Sequence, residues 1–190
     1  SSGPVVHRPL RLVTAMRLAA RKRPAALIEI VARAEQVAGP GSLSLTILGE
    51  GPARRRIDAL VADRGLEPVS LPGRVTRDEL RRRYAAADVY LSPARLESFG
   101  IAALEARTVG LPVIGRSGSG IGEFVEHGVG GLVVSSDSDM SGAIARLAGD
   151  PDEVARMRTW NVEHPPAQDW SAVAALAVNE YERATALVRR

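Results

Sequence analysis

Arg17, Lys22, Glu97 and Glu105 are the side chains whose types and spacing point to chemistry. Arg17 and Lys22 stand five positions apart in a basic stretch, Arg17–Arg23, that follows the apolar run Leu10–Ala15. A guanidinium grips two phosphate oxygens in a planar fork and an ammonium adds a compact point charge, so the two together suit an anionic ligand. Lys22 is the only lysine among 25 Lys and Arg residues, in a chain that otherwise uses arginine as its cation. Glu97 and Glu105 are separated by seven residues, on either side of Ser98-Phe99-Gly100. Taken alone, the basic stretch reads more simply as a solvated loop, and Glu105 as a surface position on a helix.

The elements around these residues favour a shared site. Val89–Leu91 is apolar and ends at Ser92-Pro93; a polar loop carries Glu97; an Ala- and Leu-rich helix starts near Phe99, holds Glu105 and ends near Gly110; Leu111–Ile114 is apolar again. Strand, loop, helix and strand in that order make one right-handed crossover of a parallel sheet. Ligands of such sheets sit past the carboxyl ends of the strands, where helix N-termini offer unpaired N–H groups to anions. The loop Arg95–Gly100 is therefore the expected centre of chemistry. The N–H groups of Phe99, Gly100 and Ile101 are expected to face a phosphate or sugar hydroxyls, with Gly100 allowing close backbone approach.

Further strands are expected at Leu10–Ala15, Leu43–Leu48, Val69–Leu71 and Gly131–Val134. Helices are expected from Pro24 to the Gly39-Pro40-Gly41 stop, around Ile57, Leu60 and Val61, and from a Thr76/Glu79 capping box through Tyr84. A brief helix at Glu123–Glu126, a helix capped by Asp137, another from Asp152 and a final one from about Ser171 complete the pattern. The last carries Val173, Leu176, Tyr181 and Leu187 in register. Six strands alternating with helices predict an α/β fold: a Rossmann-like, doubly wound parallel sheet of order 3-2-1-4-5-6, with helices on both faces.

The Glu-x7-Glu spacing, with Ser98-Phe99-Gly100 after the first Glu, Leu104-Glu105-Ala106 around the second and Gly110-Leu111-Pro112-Val113 downstream, resembles the donor-site signature of GT-B retaining glycosyltransferases of glycosyltransferase family four. The resemblance runs from about Leu10 to Leu187 and corresponds to the C-terminal, donor-binding domain of such an enzyme. It implies transfer of a hexose from a nucleoside diphosphate sugar, UDP- or GDP-linked, to an acceptor, with retention and without a metal or other cofactor. Arg17 and Lys22 match the family's diphosphate clamp, with Met16 where a Gly usually precedes the Arg. By the same resemblance Glu97 meets the hydroxyls of the transferred sugar and Glu105 those of the ribose. Ser98, Phe99, Gly100 and Ile101 complete the donor site. Gly49-Glu50-Gly51-Pro52 resembles a turn lining the nucleotide pocket, and the base is expected against Gly73-Arg74-Val75. Ser119-Gly120-Ile121-Gly122-Glu123 resembles a further family loop and is assigned to packing.

Other chemistries fit less well. Eight helical steps would separate Glu97 and Glu105 by about 12 Å, beyond the ~5–9.5 Å of a glycosidase carboxylate pair. Gly49-Glu50-Gly51 is not a dinucleotide fingerprint, because Arg54 stands at the third glycine position. His7, His127 and His164 join no cluster with metal-ligand spacing, and no serine sits in a Gly-x-Ser-x-Gly elbow. A nucleotide-sugar 2-epimerase domain and a non-catalytic nucleotide-binding regulatory module are the alternative functions.

At 190 residues and 45% apolar, the chain has the size and composition of one globular domain. No apolar run approaches the ~20 residues of a membrane span, and no signal peptide opens the sequence. Cysteine is absent, which permits a reducing compartment, so a cytoplasmic protein is expected. Its net charge of +3 comes from interleaved signs, and Arg54–Arg56 and Arg81–Arg83 read as solvated helix faces. Peripheral contact with an anionic membrane is the weaker reading of those arginines. Few aromatics accompany them, which argues against a nucleic-acid platform. Residues 1–9 read as a tag remnant and interdomain lead, and residues 10–190 as the donor domain. An acceptor-binding N-terminal domain is expected outside this sequence.

Overall fold

A computed structural model describes residues 9–66 and 68–166. Among them, six parallel strands run β1 (Leu10–Ala15), β2 (Leu43–Leu48), β3 (Val69–Gly73), β4 (Val89–Ser92), β5 (Val113–Arg116) and β6 (Gly131–Val134). Their order is β3-β2-β1-β4-β5-β6, as the sequence predicts. Six helices accompany them: α1 (Pro24–Ala38), α2 (Arg54–Arg64), α3 (Arg77–Ala86), α4 (Ile101–Thr108), α5 (Asp137–Gly149) and α6 (Pro151–Glu163).

The alternating side chains of the central strand enter two different cores. Leu12 packs with Leu27, Ile57, Met140 and Ile144 from α1, α2 and α5, and α6 adds Met157. Val13 points the other way, into a cluster with Tyr84 of α3 and Leu104 of α4. No helix of the described residues is long and apolar enough to cross a membrane.

Several boundaries differ from expectation for local reasons. β3 continues through Pro72-Gly73, because Leu48 pairs with Gly73. β5 begins at Val113, since the Leu111 N–H is taken by the Ala106 carbonyl in the turn out of α4. Thr76 accepts from the Glu79 N–H at 3.2 Å, but the Glu79 carboxylate goes to Arg82 and Arg83, so only half of that capping box forms. The complete box belongs to α5, where Ser136, not Asp137, is the cap and Asp139 returns the bond. A 3₁₀ turn at Gly120–Glu123 replaces the helix expected at Glu123–Glu126. Arg55, Arg56, Arg81 and Arg82 are exposed, in keeping with solvated faces. The helix expected from Ser171 lies outside the described residues.

The seam between β1 and β4 is where the order of the sheet reverses. Only two residue pairs, Leu12 with Val89 and Val13 with Tyr90, join these strands. At one end of this short ladder, Asp88 accepts from the Arg11 N–H and guanidinium. At the other, the Tyr90 hydroxyl donates to the Ala15 carbonyl at 3.2 Å and accepts from the Ala15 N–H at 3.4 Å. One side chain thus satisfies both backbone groups that the parting strands leave behind.

Tyr90→Phe is expected to cost about 1–3 kcal/mol, the penalty for leaving the partly buried Ala15 N–H and carbonyl without this partner. Urea denaturation reads it; a change below about 0.5 kcal/mol would show that water replaces the hydroxyl without loss.

Candidate functional site

Two adjoining cavities open past the carboxyl ends of β1 and β4. The first, about 450 Å³, is lined by Arg17, Lys22, Glu97, Ser98, Phe99, Gly100, Ile101 and Glu105. All eight residues that the sequence assigns to this part of the site therefore meet around one cavity. The second, about 660 Å³, is lined by Gly49, Gly51, Arg74 and Val75, with Leu48 and Leu80 as apolar wall. Ala15, Met16 and Arg17 line both, so the cavities form one groove with Arg17 at the join.

The loop from Met16 to Arg23 is fixed by close backbone packing. Leu18 is fully buried; its N–H donates to the Glu50 carbonyl, and its own carbonyl accepts from the Ala53 N–H. A Cβ at Gly49 would collide with the Met16 carbonyl, and one at Gly51 with the Leu18 backbone. These two glycines are thus required by loop-on-loop contact, besides lining the cavity. A 3₁₀ turn, Ala20–Lys22, then brings Lys22 round, and its ammonium meets the Glu97 carboxylate at 2.5 Å. Both partners are about four-fifths buried, with side-chain exposures of 25% and 19%.

Helix α4 starts later than the sequence suggests. Gly100 takes the N-cap position in the left-handed region, φ 69°, where a non-glycine residue would be strained. Leu104 is the first residue whose N–H bonds back to it, at 2.9 Å. The N–H groups of Ile101, Ala102 and Ala103 precede the first helical bond and have no acceptor among the described residues, so Phe99 and Gly100 are corrected from helical donors to residues of the approach loop. Glu105 is half-buried on the same helix and faces the cavity one turn on. The loop is braced from outside by Gly120, whose N–H donates to the Glu97 carbonyl at 2.8 Å. A Cβ there would strike the Ser98 carbonyl, which accords with the packing role assigned to this segment.

Two features of the site escaped the sequence reading. Tyr90 forms part of the cavity floor, where burial pushes its phenol up to about 12, the Ala15 hydrogen bond opposing. Nothing in an apolar strand marks one tyrosine as a floor. Behind the cavity, Arg23 donates to both Asp137 oxygens, at 2.9 and 2.6 Å, and to the Pro93 carbonyl at 3.0 Å. The buried Arg116 approaches the same carboxylate at 3.4 Å. Arg23 and Asp137 lie 114 positions apart, and no local pattern links them. Among the described residues, no group of three or more His, Asp or Glu side chains converges as metal ligands would.

Residues 4–161 match the family model described as glycosyl transferases group 1. The chain is similar to the D-inositol 3-phosphate glycosyltransferase of Thermobispora bispora, 36% identical over 146 residues, covering 75% of this chain and 34% of that one. It spans about a quarter to two-fifths of the length of the curated relatives it matches. Among solved structures, the sucrose-phosphate synthase of Thermosynechococcus elongatus superposes with a TM-score of 0.77 at 27% identity, over 95% of this chain and 46% of that one. The pneumococcal O-GlcNAc transferase in complex with UDP and GlcNAc does so with a TM-score of 0.73 at 26% identity, over 83% of this chain and 32% of that one.

The Arg23 hydrogen bonds hold the Asp137 carboxyl below the usual carboxylate range, against the opposing effect of burial. The folded state thus binds this proton less readily than the unfolded chain. The resulting stability is complete above about pH 3.9, the ordinary Asp value, and is lost as pH falls through the lower folded value. Asp137→Asn should melt lower at neutral pH and show a shallower acid limb as pH falls below about 4. Thermal melts across that range check it; parallel limbs for both proteins would contradict the assignment.

Proposed function

The chain belongs to the glycosyl transferases group 1 family, and on that premise we propose that its groove binds a nucleoside diphosphate sugar as glycosyl donor. The observation that carries this reading is that Arg17 and Lys22 share one cavity with the N-terminus of α4 and with Glu105. A diphosphate lying there meets two cations and three free N–H groups. Glu105, one turn deeper, accepts from the ribose hydroxyls. Glu97, beside Lys22, accepts from hydroxyls of the transferred hexose. The base occupies the larger cavity, between the Gly49–Gly51 turn and Arg74-Val75.

Transfer moves the sugar from the diphosphate oxygen to an acceptor hydroxyl, and negative charge builds on the departing nucleoside diphosphate. Preorganised cations and helix N–H groups aimed at that charge stabilise the transition state more than the ground state. Arg17 and Lys22 supply that stabilisation without a metal, and Glu97 fixes the orientation of the hexose. Retention of configuration is part of the proposal. The acceptor binds on a second domain, so this chain alone binds donor and turns over none. Similarity to transferases favours this reading over the epimerase and regulatory alternatives.

Calorimetric titration of UDP, GDP and ADP tests it: at least one is expected to bind, more weakly as salt rises. Glu105→Ala should weaken that binding by about 1–3 kcal/mol, by leaving ribose hydroxyls unpaired. If the wild-type chain binds none of the three, the donor-site reading fails. Sugar transfer by this chain alone would overturn only the need for a second domain.

A further inference from the structure

Arg23 is the one non-glycine residue with positive φ among the described residues, at φ 59°, ψ 42°. Such a backbone is strained for a long side chain and persists only where surrounding contacts impose it. Here the contacts are visible. The guanidinium forks onto Asp137 at the start of α5 and also holds the Pro93 carbonyl at the mouth of the β4–α4 loop. Its side chain is only 17% exposed. These bonds engage both terminal nitrogens, and Arg23 does not line either cavity of the groove.

Lys22, the adjacent residue, points the other way, into the cavity and onto Glu97. The left-handed turn at Arg23 is what lets two consecutive cations diverge. One joins Glu97 inside the site, while the next ties the same two loops together from behind. From this geometry we propose that Arg23 is a positioning residue: it clamps the β1–α1 loop to the β4–α4 loop and so sets where Lys22 and Glu97 stand. The inference rests on the donor-site reading above, since its readout is diphosphate binding.

Arg23→Gly makes a clean test, because glycine accepts the left-handed backbone while the clamp is deleted. Its affinity for the nucleoside diphosphate that the wild type binds best should fall about tenfold, a coupling ordinary for groups in one hydrogen-bond network. Affinity for the parent nucleoside, which carries no phosphate, should stay within about twofold. In a Lys22→Ala background, titrated into the millimolar range, Arg23→Gly should cost less than about twofold, because the residue through which it acts is gone. Arg23→Lys keeps the charge without the fork and should also lose affinity. It carries the test should the glycine variant fail to fold, which denaturation will show.

Equal losses with and without Lys22, or an equal loss for the nucleoside, would mean general structural damage and overturn the proposal. So would wild-type affinity in either Arg23 variant. A wild-type chain that binds no nucleoside diphosphate would instead overturn the donor-site reading, and this inference with it.

Discussion

The parting of β1 and β4 governs this molecule. Their crossover helices, α1 and α4, pack on opposite faces of the sheet, as the two separate cores show. The loops leaving these strands must therefore diverge, and the wedge between them is where a ligand can reach backbone. A wedge of this kind exposes polar groups that the ladder would otherwise pair. Tyr90 satisfies those at its base, while the first N–H groups of α4 remain free at its rim. The groove follows from sheet topology; its chemistry follows from which side chains line the rim.

That rim is held by backbone contact and charge together. On the β2 side the fit is steric, with Gly49 and Gly51 letting two turns touch. On the β4 side it is electrostatic, through Lys22 with Glu97 and Arg23 with Asp137. Partly buried ion pairs add little net stability, because desolvation offsets much of their attraction. They are directional, however, and a bidentate fork fixes both distance and angle. The side with charged links is the side where chemistry is proposed, which suits positional control better than mere cohesion. Arg107 applies the same device elsewhere on α4: fully buried, it donates to the Asn161 and His164 carbonyls at the end of α6. The helix that presents Glu105 is thus secured at the back as well as at the rim.

The strands were legible in the sequence because each is a short apolar run closed by glycine, proline or a polar cluster. The strand order was legible through the regular alternation of six strands with helices, the pattern of a doubly wound sheet. The Glu97–Glu105 signature brought Arg17 and Lys22 into the site although 75 positions separate Lys22 from Glu97. What stayed hidden depends on conformation or distance. The two-residue shift in the start of α4 arises because Gly100 adopts a left-handed backbone, and sequence shows only that glycine permits this. The cap of α5, by contrast, was there to be read: among the capping types Ser136, Asp137 and Asp139, only Ser136 has an acidic residue three positions on to return the bond, a spacing that the choice of Asp137 passed over. Arg23 looked like one more residue of a basic loop. Its role needed a partner on α5 and the sign of one dihedral angle.

Charge accounting around the smaller cavity narrows the kind of ligand that fits. Lys22 is already matched by Glu97, and Arg17 and Glu105 line the same cavity, so the four charged side chains sum to zero. A site that simply concentrated anions would not place two carboxylates among its cations. Inorganic phosphate gains from Arg17 and the helix end but also meets Glu97 and Glu105, which offer it only repulsion. A ligand whose anionic part lies against the cations while its hydroxyls reach the carboxylates satisfies every group at once. Arg17, which makes no ion pair among the described residues, stands at the join of the two cavities. A diphosphate diester flanked by polyols on both sides has that pattern, and a nucleoside diphosphate sugar is a molecule of that form.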